Sequence, residues 1–225
     1  MTRPKLPMAS HVLVVEDHTL VGELLADSCR QILPEADVRI AGSCAAALEF
    51  CRRTPPDLVL LDLVLPDRDG LELLPELFAA APRAKVIALS SHIDEFTLHR
   101  ALGSRVHGIL DKNEQPVRVL CEAIHTVLSG RQFVSSYVQR LRATVRADPA
   151  AFDKILSARE QGVLRLVGEG LTNDQIAARL GISVGTAKRH RLNIMARLDL
   201  HSTPQLIRYA MEKGFTRIPE RPKAR

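Results

Sequence analysis

The chain has 225 residues, 46% hydrophobic and 25% charged, a length that allows one large domain or two small ones and a composition ordinary for a globular protein. Its net charge of +5 is unevenly placed: residues 1–129 hold 13 Lys/Arg against 18 Asp/Glu, residues 130–149 hold 4 against 1, and residues 150–225 hold 14 against 7, so an acidic front and a basic back point to two domains with different partners. No apolar run is long enough for a membrane span or a secretory signal, which leads us to expect a cytoplasmic protein with no membrane partner, and with no Trp, two Tyr and six Phe the chain lacks stacking platforms for single-stranded nucleic acid.

The front half reads as alternating strands and helices. His11–Val15 is a short apolar run ending at Glu16-Asp17, and Thr19–Leu33 then sets Leu20, Val21, Leu24, Leu25, Cys29 and Ile32 at helical spacing before Pro34. Val38–Ala41 is a second strand, and Ala45–Cys51 a helix ended by Thr54-Pro55-Pro56. Leu58–Leu61 is a third strand, apolar throughout as a parallel strand buried on both faces should be. A helix over Leu71–Ala80 with Pro75 inside it, a strand over Lys85–Leu89, a helix over Asp94–Leu102, a strand over Arg105–Leu110 and a helix over Val117–Leu128 follow. The four cysteines, Cys29, Cys44, Cys51 and Cys121, form no CxxC pair and no zinc spacing; lying in helices, they are expected to be buried free thiols. Five βα units in succession predict an α/β, doubly wound, five-stranded parallel sheet with helices on both faces.

In such a sheet a site lies beyond the carboxyl ends of the strands. This sequence puts Glu16 and Asp17, Asp62, Ser90, and Asp111-Lys112 there. No GxGxxG or Walker motif is present, which argues against a dinucleotide or nucleoside triphosphate site. Two or three carboxylates at one sheet edge suit a hard cation such as Mg²⁺, and a carboxylate can attack phosphorus to give an aspartyl phosphate. The metal would offset repulsion between Asp62 and an incoming phosphoryl group. Lys112 and Ser90 would hold the phosphoryl oxygens by charge and by hydroxyl donation. Taken singly, acids at strand ends are solvated caps; their recurrence at consecutive strand ends singles these out.

Four stretches carry a family likeness: V-L-V-V-E-D-H (12–18), P-D-L-V-L-L-D-L-V-L-P-D-R-D-G (56–70), V-I-A-L-S-S-H (86–92) and G-I-L-D-K (108–112). Residues 11–129 resemble a response-regulator receiver domain, with its flavodoxin-like fold. The resemblance implies Asp62 as phosphoacceptor, and Glu16, Asp17, Asp62 and the backbone carbonyl of Val64 as the Mg²⁺ ligands. It further implies Ser90 and Lys112 as the phosphoryl switch pair and a histidine kinase as the donor. Pro66 and Gly70 fit the family's loop after the phosphoacceptor, and the separations Asp62 to Ser90 (28 residues) and Ser90 to Lys112 (22 residues) are in its range. The chain departs from the pattern at Val64, often polar in the family, at Leu65, usually Met, and at Ile109, commonly aromatic. A rotating aromatic ring is therefore not the readout here. Val64 and His92 flank the expected phosphoryl position and are expected to tune how fast water removes the group.

Gly130 to Ala150, with Ser135-Ser136, four Arg and Asp148-Pro149, reads as a partly helical connector with a solvated basic face. Beyond it the helix starts are explicit. Ser157-Ala-Arg-Glu160, Thr172-Asn-Asp-Gln175 and Ser202-Thr-Pro-Gln205 read as capping boxes, and Ser183 as a further cap. Gly170 and Gly181 stand where helix ends need left-handed backbone. Helices are predicted near 158–168, 173–180, 184–197 and 203–213, an all-α four-helix domain. Ala177 permits close approach, Gly181 turns the chain, Leu180 and Ile182 fill the seam, and Ala187 follows Ala177 by ten residues, a helix-turn-helix spacing.

The helix at 184–197 is expected to enter the major groove of double-stranded DNA. At about 100° per residue, Ala187, Ile194 and Leu198 face inward, while Gly185, Arg189, Leu192, Asn193 and Ala196 face away with Lys188 at the flank. Arg189 and Asn193 suit guanine and adenine edges and Leu192 a thymine methyl. Lys188, Arg191, Ser183 and Thr186 suit phosphates, although Arg191 projects near enough to the inward arc to lie along the core edge instead. Through L-S-A-R-E (156–160), G-L-T-N-D-Q-I-A-A-R-L-G-I-S (170–183), T-A-K-R-H (186–190) and N-I-M-A-R-L-D-L (193–200), residues 155–214 resemble the LuxR-type domain of NarL/FixJ response regulators. Ala187 replaces the Val common there, and the last helix, Pro204–Lys213, is by resemblance a dimer contact.

The expected organisation is a receiver at 10–129, a linker at 130–150, a LuxR-type helix-turn-helix domain at 151–216 and a basic tail at 217–225. The expected function is transcriptional regulation rather than enzymatic turnover: phosphorylation at Asp62 by a histidine kinase, homodimer formation and DNA binding. Two alternatives stand beside it. A phosphohydrolase with Asp62 as nucleophile would want an acid where Val64 stands. A phosphorylation-independent transcription factor with a relict receiver would not need the intact acid, Ser and Lys set.

Overall fold

Parallel strands need a crossover between them, and here each apolar run is followed by a helix that supplies it. The computed structural model describes residues 9–91, 93–113 and 116–216; His92 and the tail at 217–225, both singled out in the sequence, lie outside them. The elements of the front half are β1 (His11–Val15), α1 (Thr19–Ile32), β2 (Asp37–Ala41), α2 (Cys44–Arg53), β3 (Leu58–Asp62), α3 (Gly70–Ala80), β4 (Lys85–Ser90), α4 (Glu95–Leu102), β5 (Gly108–Asp111), α5 (Pro116–Leu128) and β6 (Phe133–Val134). The sheet order is β2-β1-β3-β4-β5-β6, every pair parallel.

Alternating side chains divide each strand between two faces. Val12, Val14, Leu58, Leu60, Ile87, Leu89 and Leu110 bury against Ala26 and Cys29 of α1 and Leu120, Ala123, Ile124 and Val127 of α5. Their neighbours Leu13, Val59, Leu61, Val86 and Ala88 are as deeply buried on the other face, which is why β3 shows no amphipathic alternation in sequence. Burial pushes the thiols of Cys29, Cys44 and Cys51 up to about 12, 11 and 11, so these three are inert packing groups. Cys121 differs from the expectation: it is only half-buried.

Two strand expectations need correction. The sheet has six strands rather than five, because Phe133–Val134, at the start of the stretch read as a connector, pairs with Gly108–Ile109 of β5. Two residues carry no countable period, so this strand left no signal. β5 also begins at Gly108 rather than Arg105. The amide of Val86 donates to His107 Nδ1 at 3.2 Å, so an imidazole takes the bond that an earlier strand residue would have accepted. Burial first, and then Lys85 and Arg105, lower the His107 pKa, which keeps the ring neutral for that acceptor role.

The remaining elements are α6 (Ser136–Ala147), α7 (Phe152–Ile155), α8 (Ala158–Gly168), α9 (Asn173–Leu180), α10 (Val184–Arg197) and α11 (Thr203–Glu212). The chain divides into two compact units, one holding the chain up to Ile93 with Arg100–Leu141, the other Asp94–His99 and the chain from Arg142 onward. In the second unit Phe152, Val163, Leu164, Ile176, Ala187, Ile194, Leu206 and Ala210 are fully buried. The short α7 is an addition to the four helices read from sequence; it brings Phe152, 0% exposed, into the core.

The helix starts follow the caps. Ser157 and Glu160 form a full capping box on α8, and Thr172 and Gln175 form one on α9. Ser202 caps α11 by accepting from the Gln205 amide, but the reciprocal half of the predicted box is missing: Gln205 Oε1 accepts from the His201 amide instead, at 2.8 Å. Gly181 ends α9 with φ 61°, a left-handed position that favours glycine.

Glu160 is 3% exposed. Burial pushes its carboxyl up, but the Ser157 hydroxyl and amide, then Arg197, outweigh that and leave its pKa below the ordinary 4.5. A carboxylate whose pKa is lower folded than unfolded stabilises fully above its unfolded value, and loses that contribution as pH falls through the folded one. Glu160→Gln is therefore expected to melt a few degrees below wild type at pH 7, with the gap closing as pH falls below 4.5 and through the lowered folded value; thermal melts followed by circular dichroism across pH check this.

Candidate functional site

Strand order gathers the predicted site. β1, β3, β4 and β5 are consecutive in the sheet, so the residues that follow or end them (Glu16, Asp62, Ser90 and Lys112) line one edge. Glu16 and Asp62 are 2% and 5% exposed. Two buried carboxylates repel and each needs a partner. The Lys112 Nζ serves both, 2.8 Å from Asp62 Oδ2 and 2.5 Å from Glu16 Oε2. Asp62 Oδ1 accepts from the Val64 amide at 3.0 Å, which places the Val64 backbone against the carboxylate. Ser90 is fully buried, and its carbonyl accepts from the Lys112 amide at 2.9 Å.

Asp17 lies beside Glu16 on the solvent side. His18, absent from the sequence reading of the site, joins them: its Nδ1 is 3.1 Å from Asp17 Oδ1 and 3.5 Å from Glu16 Oε1. Donor atoms of Glu16, Asp17 and His18 lie within 4.8 Å of one another. Glu16 thus meets Lys112 with one oxygen and turns the other toward His18. Carboxylate oxygens in this arrangement fit a hard divalent cation. Asp111 does not join them: its Oδ1 accepts from the amide and Nδ2 of Asn113, at 2.8 and 2.9 Å. Ile109 is 3% exposed in β5, between Ala88 and Val134.

The loop after Asp62 is held by carboxylates that the sequence reading passed over. Asp67 accepts from the amides of Cys44 and Ala45 at the start of α2, each at 3.0 Å. Burial nudges the Asp67 carboxyl up, but these amides and those of Asp67 and Arg68 bring its pKa below the usual range. Asp69 caps α3 through the Leu71 amide at 2.9 Å and pairs with Arg100 at 2.5 Å. An acid just before a helix is a readable cap; the reach of Asp67 to a different helix has no sequence signal. Gly70 lets this loop close: a Cβ there would lie 2.2 Å from the Asp62 carbonyl oxygen and 3.0 Å from the Leu63 Cα.

In the second unit α9, the Gly181 turn and α10 form the helix-turn-helix, closed by the Ile182 amide on the Ala177 carbonyl at 3.0 Å. Ala187 and Ile194 face inward, 0% exposed, and Leu192 faces out, 55% exposed. Lys188, Arg189 and Asn193 are exposed as expected, and among the described residues their side chains make no hydrogen bond or ion pair. Ser183 caps α10 by accepting from the Thr186 amide at 3.1 Å, and the two hydroxyls pair at 2.8 Å. Arg191 spends its guanidinium inside the unit, on Asn173 Oδ1 at 3.2 Å and Thr203 Oγ1 at 3.0 Å. Arg197 likewise donates to the Ile155 carbonyl and Glu160 Oε2, both at 3.0 Å.

Because the close contacts of a Gly70 Cβ are with backbone, Gly70→Ala is expected to cost about 1–3 kcal/mol of stability. Urea unfolding checks this; wild-type stability would mean that the Asp62 backbone moves aside at no cost.

The chain matches the family described as response regulator receiver domain over residues 12–125, and that described as bacterial regulatory proteins, luxR family, over residues 154–210. It is similar to the Fimbriae Z protein of Salmonella typhimurium, 34% identical over 165 residues that cover 73% of this chain and 78% of that protein. It is also similar to the transcriptional regulatory protein MctR of Rhizobium johnstonii, 31% identical over 218 residues, 95% of this chain and 96% of that one. Among solved structures, RcsB of Salmonella enterica serovar Typhimurium, bound to a promoter in the presence of phosphomimetic BeF3-, matches with a TM-score of 0.64 at 25% identity, over 89% of this chain and 97% of that one. With a receiver sheet edged by Glu16, Asp62, Ser90 and Lys112 and a helix-turn-helix presenting Lys188 and Arg189, the chain belongs to the LuxR family of DNA-binding response regulators.

Proposed function

We propose that Asp62 takes a phosphoryl group from a histidine kinase and that this modification raises the affinity of the helix-turn-helix for double-stranded DNA, as a homodimer in the cytoplasm. Glu16, Asp17, Asp62 and the Val64 carbonyl would hold a Mg²⁺ ion. When bound, that ion supplies the positive charge that lets a phosphoryl group approach the acidic edge. An Asp62 oxygen forms the new O–P bond while the P–N bond of the donor phosphohistidine breaks, its electron pair returning to the imidazole. Lys112 then turns from the lost carboxylate charge to the phosphoryl oxygens, and the Ser90 hydroxyl donates to another. Val64, whose amide meets the Asp62 carboxylate, sets how fast water removes the group.

The observation that carries this reading is the Lys112 bridge between Asp62 and Glu16. Modification of Asp62 removes one of the two carboxylates that hold the ammonium, so Lys112 must change partners and the edge has two states. On the DNA side, Lys188, Arg189 and Asn193 are the α10 groups free for phosphates and base edges, with Leu192 for a thymine methyl. Ser183 and Thr186, at the helix start, sit where a phosphate would be received. Arg191 contributes to DNA only by leaving Asn173 and Thr203. A dimer would set two α10 helices on half-sites about 34–36 Å apart.

The test is DNA affinity of the full chain with Mg²⁺, with and without BeF3-, for wild type and Asp62→Asn. The expected result is a gain of about 5- to 150-fold in wild type and none in Asp62→Asn. Affinity that ignores BeF3- in wild type would favour a receiver that no longer governs DNA binding.

A further inference from the structure

The edge that carries Lys112 is bonded directly to the connector. Phe133 donates its amide to the His107 carbonyl and Ser135 its amide to the Ile109 carbonyl, each at 3.0 Å. In a regular parallel ladder the next bond would run from the Asp111 amide to the Ser135 carbonyl. That carbonyl instead accepts from the Gln139 amide at 2.9 Å, where α6 begins. The Ser135 hydroxyl stands in for it and accepts from the Asp111 amide at 3.4 Å. Ser135 is 1% exposed and Asp111 8%, so water is no ready substitute.

Ser135 therefore directly follows the strand bonded to β5 and supplies the carbonyl on which α6 begins. On the other side of Asp111 comes Lys112. Its amide is tied to the Ser90 carbonyl, and its Nζ bridges Asp62 and Glu16. The backbone that aims Lys112 is thus held by one bond from β4 and one from Ser135. The position where an aromatic ring would report the state of such an edge is Ile109, buried and with nothing to rotate outward.

We propose that Ser135 is a positioning residue that ties the Asp62–Lys112 pair to the first turn of α6, so that a change of partner at Lys112 reaches the connector through the Ser135 hydroxyl on the Asp111 amide. The inference rests on the function proposed above. When Lys112 leaves Asp62 for a phosphoryl oxygen, the Asp111 amide shifts against Ser135, and the Ser135 carbonyl carries that shift to Gln139 and α6. A hydroxyl suits the role because it can follow its donor by rotating, whereas a backbone carbonyl locked in a ladder cannot.

The full chain is compared with Ser135→Ala and Ser135→Thr, each with Mg²⁺ and with or without BeF3-. Binding of the fluoride complex is followed by ¹⁹F NMR, and DNA affinity is measured alongside. Ser135→Ala is expected to bind BeF3- and to keep its affinity for DNA without BeF3- within about twofold, while the gain on adding BeF3- drops to under about twofold. Ser135→Thr, which keeps the hydroxyl, is expected to keep the gain. A wild-type gain in Ser135→Ala overturns the inference and leaves the proposed function standing, and so does loss of the gain in Ser135→Thr. Loss of BeF3- binding in Ser135→Ala also overturns it, because Ser135 would then merely support the site. No gain in wild type overturns the proposed function and the inference together.

Discussion

One ammonium between two buried carboxylates is the constraint on which the first unit depends. Asp62 and Glu16 are both removed from water, and an unpaired buried carboxylate is costly enough that it is paired or neutralised. Lys112 answers both at once. It can do so only because β1, β3, β4 and β5 are neighbours and all run the same way, which brings the ends of four separate segments to one edge. Among the described residues one ammonium faces Glu16 and Asp62, with Asp17 and His18 beside them, so carboxylates outnumber ammonium groups at this edge. That imbalance is what a divalent ion would relieve, and it is the physical ground on which a metal and phosphoryl chemistry are proposed together at this edge.

Charge is divided by task in the second unit as well. Of four basic residues on α10, Arg191 and Arg197 are committed within the fold, where they tie α10 to Asn173, Thr203, Ile155 and Glu160. Lys188 and Arg189 are left to the surface. The first pair fixes the angle at which the helix is presented, and the second pair is what it presents. A basic helix read from sequence shows only the sum of these roles, and the net charge of +5 for the chain hides them further, since the excess of acids in residues 1–129 offsets half of the basic excess in the rest.

Much of this was legible before any coordinates. The five longer strands, the strand-end acids and the helix starts at Ser157, Thr172 and Ser183 each follow from a local rule: period, burial on two faces, or a short oxygen side chain three residues ahead of an amide. What was not legible depends on partners distant in sequence. β6 is two residues long and exists because β5 offers it an open edge. Asp67 gives no local sign that it reaches the amides of α2. His107 shortens β5 by lending its ring to Val86. One miss is local: Gln205 matches the capping pattern but accepts from the His201 amide, because the pattern specifies an acceptor three residues on and not which amide it takes. Ser135, too, looked like an ordinary connector serine, and only the ladder beside it shows what its hydroxyl replaces.

The central claim, that the Lys112-bridged edge receives a phosphoryl group on Asp62, is tested most directly by chemical mapping. The full chain is incubated with Mg²⁺ and a small-molecule acyl phosphate, treated with borohydride to reduce any aspartyl phosphate, digested and analysed by mass spectrometry. The account requires reduction at Asp62 alone, at a level that approaches one per chain. Reduction at another carboxylate, or none at all while free phosphate accumulates over many turnovers, would contradict it.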